Sequence, residues 1–205
     1  MRKLVNNTNK IIEPGDVLLT YNYDLRNPGM PSYKSPEFVA DSYVANFLEL
    51  YFAQILRAGT GDALTVIDTS NVSQTIILQE VNAWLNVNSA AGITVNGLVV
   101  GTNATAVTIN DYKLGTLIAH GATSGKLQYG THTFTAPATD ATSSSFTIAR
   151  TLTNASGGTI TIAEIGLYAY HIDNYYLIVR DVLASTSDVL NGGQITFTYT
   201  IKATI

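Results

Sequence analysis

The stretch Gln194-Ile195-Thr196-Phe197-Thr198-Tyr199-Thr200-Ile201-Lys202-Ala203-Thr204-Ile205 decides the fold. Ile195, Phe197, Tyr199, Ile201, Ala203 and Ile205 fall on one side of an extended chain. Thr196, Thr198, Thr200, Lys202 and Thr204 fall on the other. A strict period of two describes a β-strand with one buried and one wetter face.

Upstream of it, Thr, Val, Ile, Ser, Gly and Asn dominate back to about residue 60, and short β-like runs alternate with turn residues. The runs are 63–68, 74–85, 93–100, 104–109, 113–119, 126–136, 144–153, 159–170, 175–183 and 194–205. In 159–170 the alternation slips phase between Ile162 and Ile165, which predicts a bulge near Ala163-Glu164. This spacing predicts a mainly β fold over 60–205, an antiparallel, jelly-roll-like β-sandwich.

Residues 36–59 read differently. Ser35 can cap, Pro36 suits a first helical position, and Gly59 is a stop. Val39, Tyr43, Phe47, Tyr51 and Ile55 recur at helical spacing, so one amphipathic helix is predicted over 36–58, packed on the core. Before it, Pro14, Pro28, Pro31 and Pro36 disfavour regular structure. Residues 1–35 are read as an extended arm, with a short strand at 17–21, laid on a neighbouring subunit.

Composition narrows the function. Of 205 residues, 46% are hydrophobic and 13% charged, the latter about half the usual share. A net charge of −4 argues against binding nucleic acid or anionic membranes. No apolar run approaches the ~18 residues that span a bilayer. No secretory signal is read at the N-terminus, so synthesis in a cytoplasm is expected. The absence of cysteine removes disulfides and thiolate metal sites.

Two stretches carry a resemblance. One runs from Phe146-Thr147-Ile148-Ala149-Arg150 through Ile160-Thr161-Ile162-Ala163-Glu164-Ile165-Gly166-Leu167-Tyr168 and Leu177-Ile178-Val179-Arg180-Asp181 to Asn191-Gly192-Gly193-Gln194-Ile195. The other is Val99-Val100-Gly101-Thr102 with Asn110-Asp111-Tyr112-Lys113-Leu114 and Ile118-Ala119-His120-Gly121. Together, over roughly 90–205, they resemble a β-sandwich module of tailed-bacteriophage virion proteins found in head decoration, fibre and tail components. The resemblance implies a scaffold that decorates or holds a particle, often as an oligomer, with no catalytic residues to carry over.

Few residues suggest chemistry. His120, His132 and His171 lack HxH or HxxxH spacing and read as exposed or hydrogen-bonded near strand ends. Gly59-Thr60-Gly61 follows a helix, the wrong order for a dinucleotide fingerprint. Asp16, Asp24, Asp62, Asp68, Asp111, Asp140, Asp173 and Asp188 sit mainly beside turn residues. Arg150, Glu164, Arg180 and Asp181 are charges inside apolar runs, where an unpaired charge costs several kcal/mol. Glu164 is therefore expected to pair with Arg150 or Arg180 across adjacent strands of one sheet. Tyr168, Tyr170, Tyr175 and Tyr176 are candidates for a contact patch.

The expectation is a non-enzymatic virion component without cofactor or metal, first of all a head decoration or cement protein. Its expected partners are capsid or tail subunits and further copies of itself. The alternative is a receptor- or glycan-binding tail or fibre module.

Overall fold

The computed structural model describes residues 17–40, 43–56, 63–77, 85–171 and 173–204. In order, these form β1 (Val17–Arg26), β2 (Tyr33–Lys34), β3 (Phe38–Val39), α1 (Ala45–Leu56), β4 (Ala63–Ile67), β5 (Ser73–Ile77) and β6 (Gly97–Gly101). There follow β7 (Gln128–Phe134), β8 (Ala138–Thr139), β9 (Ser143–Thr153), β10 (Ile160–His171), β11 (Asn174–Val189) and β12 (Gln194–Thr204). The chain is mainly β, with antiparallel sheets and a curled half-barrel.

The largest sheet has seven strands in the order β2-β1-β12-β9-β7, with β3 also on β1 and β8 on β9. Its centre is β12, whose Ile195, Phe197 and Tyr199 are fully buried while Thr196, Thr198 and Thr200 are half-buried. Across β1 they face Leu25, Tyr23 and Tyr21, and across β9 Leu152, Arg150 and Ile148. One apolar face thus continues over three strands, which is what pins the register.

A second sheet has the order β11-β10-β6. Tyr199 Oη reaches across to Asp181 on β11 at 2.7 Å. Arg150 reaches from β9 to the Leu98 carbonyl on β6 at 2.9 Å. Ile148, Leu152, Ile165, Leu167 and Leu98 fill the same hydrophobic core. β4 and β5 form a separate hairpin beside α1.

Several expectations are corrected. The helix begins at Ala45, not at Pro36, because Phe38 and Val39 pair with Tyr21 and Thr20 of β1. Phe38 stacks on Tyr21 with ring centroids 5.2 Å apart, and Thr20 Oγ1 donates to Glu37. Ser35 does not cap a helix; its Oγ accepts the Tyr23 N–H at 2.9 Å. Of the expected helical stripe, Val39 lies in β3, Tyr43 and Phe47 are half-buried and Tyr51 is 47% exposed. The Ile55 side chain lies outside the described residues.

Residues 17–35 are not an arm. β1 is a ten-residue strand paired along its whole length with β12, and Leu19, Tyr21 and Tyr23 belong to the core. Residues 1–16 lie outside the described residues. The runs at 104–109 and 113–119 form no strand either; they belong to the long segment between β6 and β7, which hydrogen-bonds to Glu164 and Tyr168 of β10 and meets β6 only in a single bridge, Leu117 to Gly101. The register of β10 against β11 does shift between Ile162 and Glu164. The surplus residues are on β11, however: two residues advance along β10 while five pass along β11.

Candidate functional site

Three places concentrate side chains that need an explanation. The first lies on the face of β10 that looks away from the large sheet. Glu164 is fully buried, and Arg180, on the adjacent strand, donates Nε–H to its Oε2 at 2.8 Å. Glu164 also accepts the backbone N–H groups of Thr116 at 2.8 Å, Gly115 at 3.1 Å and Asn103 at 3.3 Å. Arg180 continues to Asp111 at 2.8 Å and to the Thr105 carbonyl at 3.0 Å. The ion pair therefore holds down residues 103–116 as a cover on the sheet. Burial works against the Arg180 charge, but hydrogen bonds to Asp111 and Glu164 outweigh it and hold the guanidinium above its usual value. Burial likewise pushes Asp111 up, while bonds from Thr108 and Arg180 outweigh it and hold the carboxyl low.

Arg150 does not join this cluster, because β9 and β10 belong to different sheets. Among the described residues no carboxylate lies within ion-pair distance of it. Instead the guanidinium donates to the carbonyls of Ile93 (2.7 Å), Gly130 (2.8 Å), Leu98 (2.9 Å) and Ala90 (3.1 Å). It also lies 4.9 Å from the Tyr129 ring centroid. Five donors in a planar fork can satisfy a ring of carbonyls in this way. Burial nonetheless lowers the Arg150 pKa to about 10.

Opposite Arg150 on β7 stands His132, 8% exposed. Its Nε2 accepts the Leu98 N–H at 2.7 Å, so Nε2 carries no proton. Nδ1 faces Ser89, 3.2 Å from both its carbonyl oxygen and its hydroxyl. Burial first, and then the Arg150 charge, lower the His132 pKa to about 4, against a smaller opposing effect of Ser89. Ser89 and His132 form no hydrolytic dyad: the hydroxyl donates to the Asn96 carbonyl at 3.0 Å and both ring nitrogens are engaged in the core.

The third place is an apolar cleft of about 730 Å³ between α1 and the two sheets. Among the described residues its lining is entirely aliphatic and aromatic. Tyr43, just before α1, and Phe47 stack at 3.9 Å, and Phe47 and Tyr51 at 5.8 Å, which makes a ladder of rings leading into the helix. At its rim Leu48 is 62% and Phe134 45% exposed.

The tyrosine run is mostly not a surface. Tyr168 and Tyr176 are buried, and Tyr168 Oη accepts the Leu114 N–H at 2.8 Å. Burial raises both phenols to about 12. Only Tyr170 and Tyr175, a half-buried cross-strand pair at 5.4 Å, reach the surface at the β10–β11 turn. His171 is buried, and exposed His120 accepts the Tyr129 N–H at 3.1 Å. Among the described residues no group of His, Asp and Glu is placed to hold a metal ion, and no helix is long and apolar enough to cross a membrane.

Sequence reasoning offered Arg150 or Arg180 as the partner of Glu164, and Arg180 is that partner; it missed the other groups. Asp111, His132 and the carbonyl ring around Arg150 come from segments far apart in sequence. The only signal was that Arg150, like Glu164 and Arg180, stood between apolar neighbours. No protein-family description, curated protein or solved structure matches the chain.

Proposed function

We propose that the chain is a structural component of a bacteriophage virion, a head decoration or cement protein that acts by packing against other subunits. The apolar cleft carries the reading. Its rim exposes Leu48, Tyr51 and Phe134 on a chain in which only 13% of residues are charged. Apolar patches rimmed in this way mark interaction sites. The occupant is a second copy of this chain, in a homo-oligomer that docks on capsid or tail subunits in the particle. Neither nucleic acid nor membrane is a partner, and the chain is made in the host cytoplasm. The finer architecture is a jelly-roll-like sandwich, supported by buried residues that alternate along β9 and β12 and by the contacts between the two sheets.

Sedimentation equilibrium of the wild type, Leu48→Glu and Tyr51→Glu tests this. The wild type should self-associate and both variants should be monomers with an unchanged melting temperature. A monomeric wild type overturns the packing role of the cleft, and absence of the chain from purified particles overturns the virion assignment. The second reading, a receptor- or glycan-binding tail or fibre module, is supported by the Tyr170–Tyr175 pair beside Asp173, to which Tyr170 Oη donates at 3.2 Å. Glycan-array binding lost in Tyr175→Ala would favour it.

A further inference from the structure

The cross-strand pair His132 and Arg150 holds both backbone groups of one buried residue. His132 Nε2 accepts the Leu98 N–H at 2.7 Å, and Arg150 Nη1 donates to the Leu98 carbonyl at 2.9 Å. The same two side chains hold the segment before β6, His132 through Ser89 and Arg150 through Ala90 and Ile93. Residues 89–101 are thus fastened to the large sheet by one imidazole and one guanidinium, together with Tyr129, whose carbonyl accepts the Gly92 N–H at 2.9 Å and whose Oη accepts the Val100 N–H at 3.3 Å.

We propose that this pair is an acid-sensitive latch: a proton on His132 Nε2 expels the Leu98 N–H and sets a second cation beside Arg150, so that residues 89–101 loosen from the seven-stranded sheet. The packing offers the extra charge no relief. β9 contributes Arg150, β7 the neutral Tyr129 and the Phe134 ring at 6.0 Å, the preceding loop Ser89 and Asn96, and β6 only backbone. Among the described residues no carboxylate faces the imidazole. Nor can the ring swing toward β6, since it is already packed on the backbone of Gly97, in the space a Cβ there would take.

Hydrogen exchange of the wild type, corrected for the intrinsic rate at each pH, reads the latch directly. With His132 at about 4 in the closed state and at an ordinary value of about 6.5 in the open one, opening of residues 89–101 should be roughly 30-fold more frequent at pH 5 than at pH 7.5. The turn at residues 154–158, remote from the imidazole in the sequence and without a histidine, should change far less. The ¹⁵N shifts of His132 should show a neutral ring protonated at Nδ1 at pH 7.5. In His132→Gln the acid response of 89–101 should vanish. An imidazole that titrates near 6.5 with no change in 89–101, or a Gln variant with an unchanged acid response, overturns the proposal. The wild-type measurements stand even where that variant does not fold.

Discussion

Glu164 and Arg180 form a buried ion pair at 2.8 Å whose carboxylate also takes the N–H groups of Asn103, Gly115 and Thr116. The pair is thus an organiser of residues 103–116, not an isolated contact between strands. Removing one member leaves an unpaired buried charge. Glu164→Ala should therefore cost about 3–5 kcal/mol in urea unfolding. Together, Glu164→Leu and Arg180→Met should cost clearly less than the sum of the single changes, with a coupling of at least about 1 kcal/mol. Additive losses would show that the two charges act independently.

Arg150 tests a different device. Its partners are carbonyls from three separate segments, so Arg150→Met should leave buried acceptors unmet and cost on the order of 3 kcal/mol or more. Arg150→Lys should rescue little, because an ammonium is a point donor and lacks the planar fork. Equal stability of the Lys variant and the wild type would contradict the role given to that geometry. Thermal melts of the three proteins at one pH decide it.

Glycines separate conformation from space. Gly29 (φ +72) and Gly97 (φ +84) both occupy the left-handed region. A Cβ on Gly29 meets nothing within 4 Å, so Gly29→Ala should cost only about 1 kcal/mol of backbone strain. At Gly97 the added atom would lie 2.2 Å from His132 Cε1 and 2.8 Å from Ser89 Oγ. Gly97→Ala should cost several-fold more and also raise the His132 pKa toward its ordinary value. A similar loss at both positions would mean that backbone conformation alone sets the cost.

The pH dependence of stability has a definite sign. Above pH 6.5 His132 is neutral in both the folded and unfolded chain and adds no penalty. As pH falls from about 6.5 to its folded value of about 4, the unfolded chain takes the proton first. Stability should drop by about 3 kcal/mol over that window, at ~1.4 kcal/mol per pH unit. Asp68 adds a second loss at lower pH: burial raises its carboxyl, but bonds from Val72, Gln74 and Ser70 outweigh that and keep it low, so its contribution disappears on acidification. Urea midpoints from pH 8 to pH 3 check both, and His132→Asn should flatten only the upper limb.

Much of the β fold is legible in the sequence because the pleat writes its own period. In β12 the alternation of Ile195, Phe197 and Tyr199 with threonines matches the observed burial residue by residue. The start of the helix was not legible. Ser35-Pro36-Glu37 has good capping chemistry, yet Phe38 gains more by stacking on Tyr21 in the sheet than by opening a helix. Local propensity yielded there to a tertiary contact. The same holds for residues 17–35, where prolines in the following turn hid the extent of a strand read only over 17–21; β1 runs to Arg26 and puts Leu19, Tyr21 and Tyr23 in the core.

By itself the sequence determined that the chain is mainly β, where most of its later strands lie, and that Glu164 and the arginines inside apolar runs need partners. Each of these follows from local periodicity or from the cost of burying a charge. Only the tertiary structure decided who the partners are. β9 and β10 are consecutive, yet they enter different sheets, so Glu164 meets Arg180 while Arg150 is left to four carbonyls and a neighbouring imidazole. Which strands pair depends on how separate apolar faces close over one another, and no short stretch of residues encodes that choice.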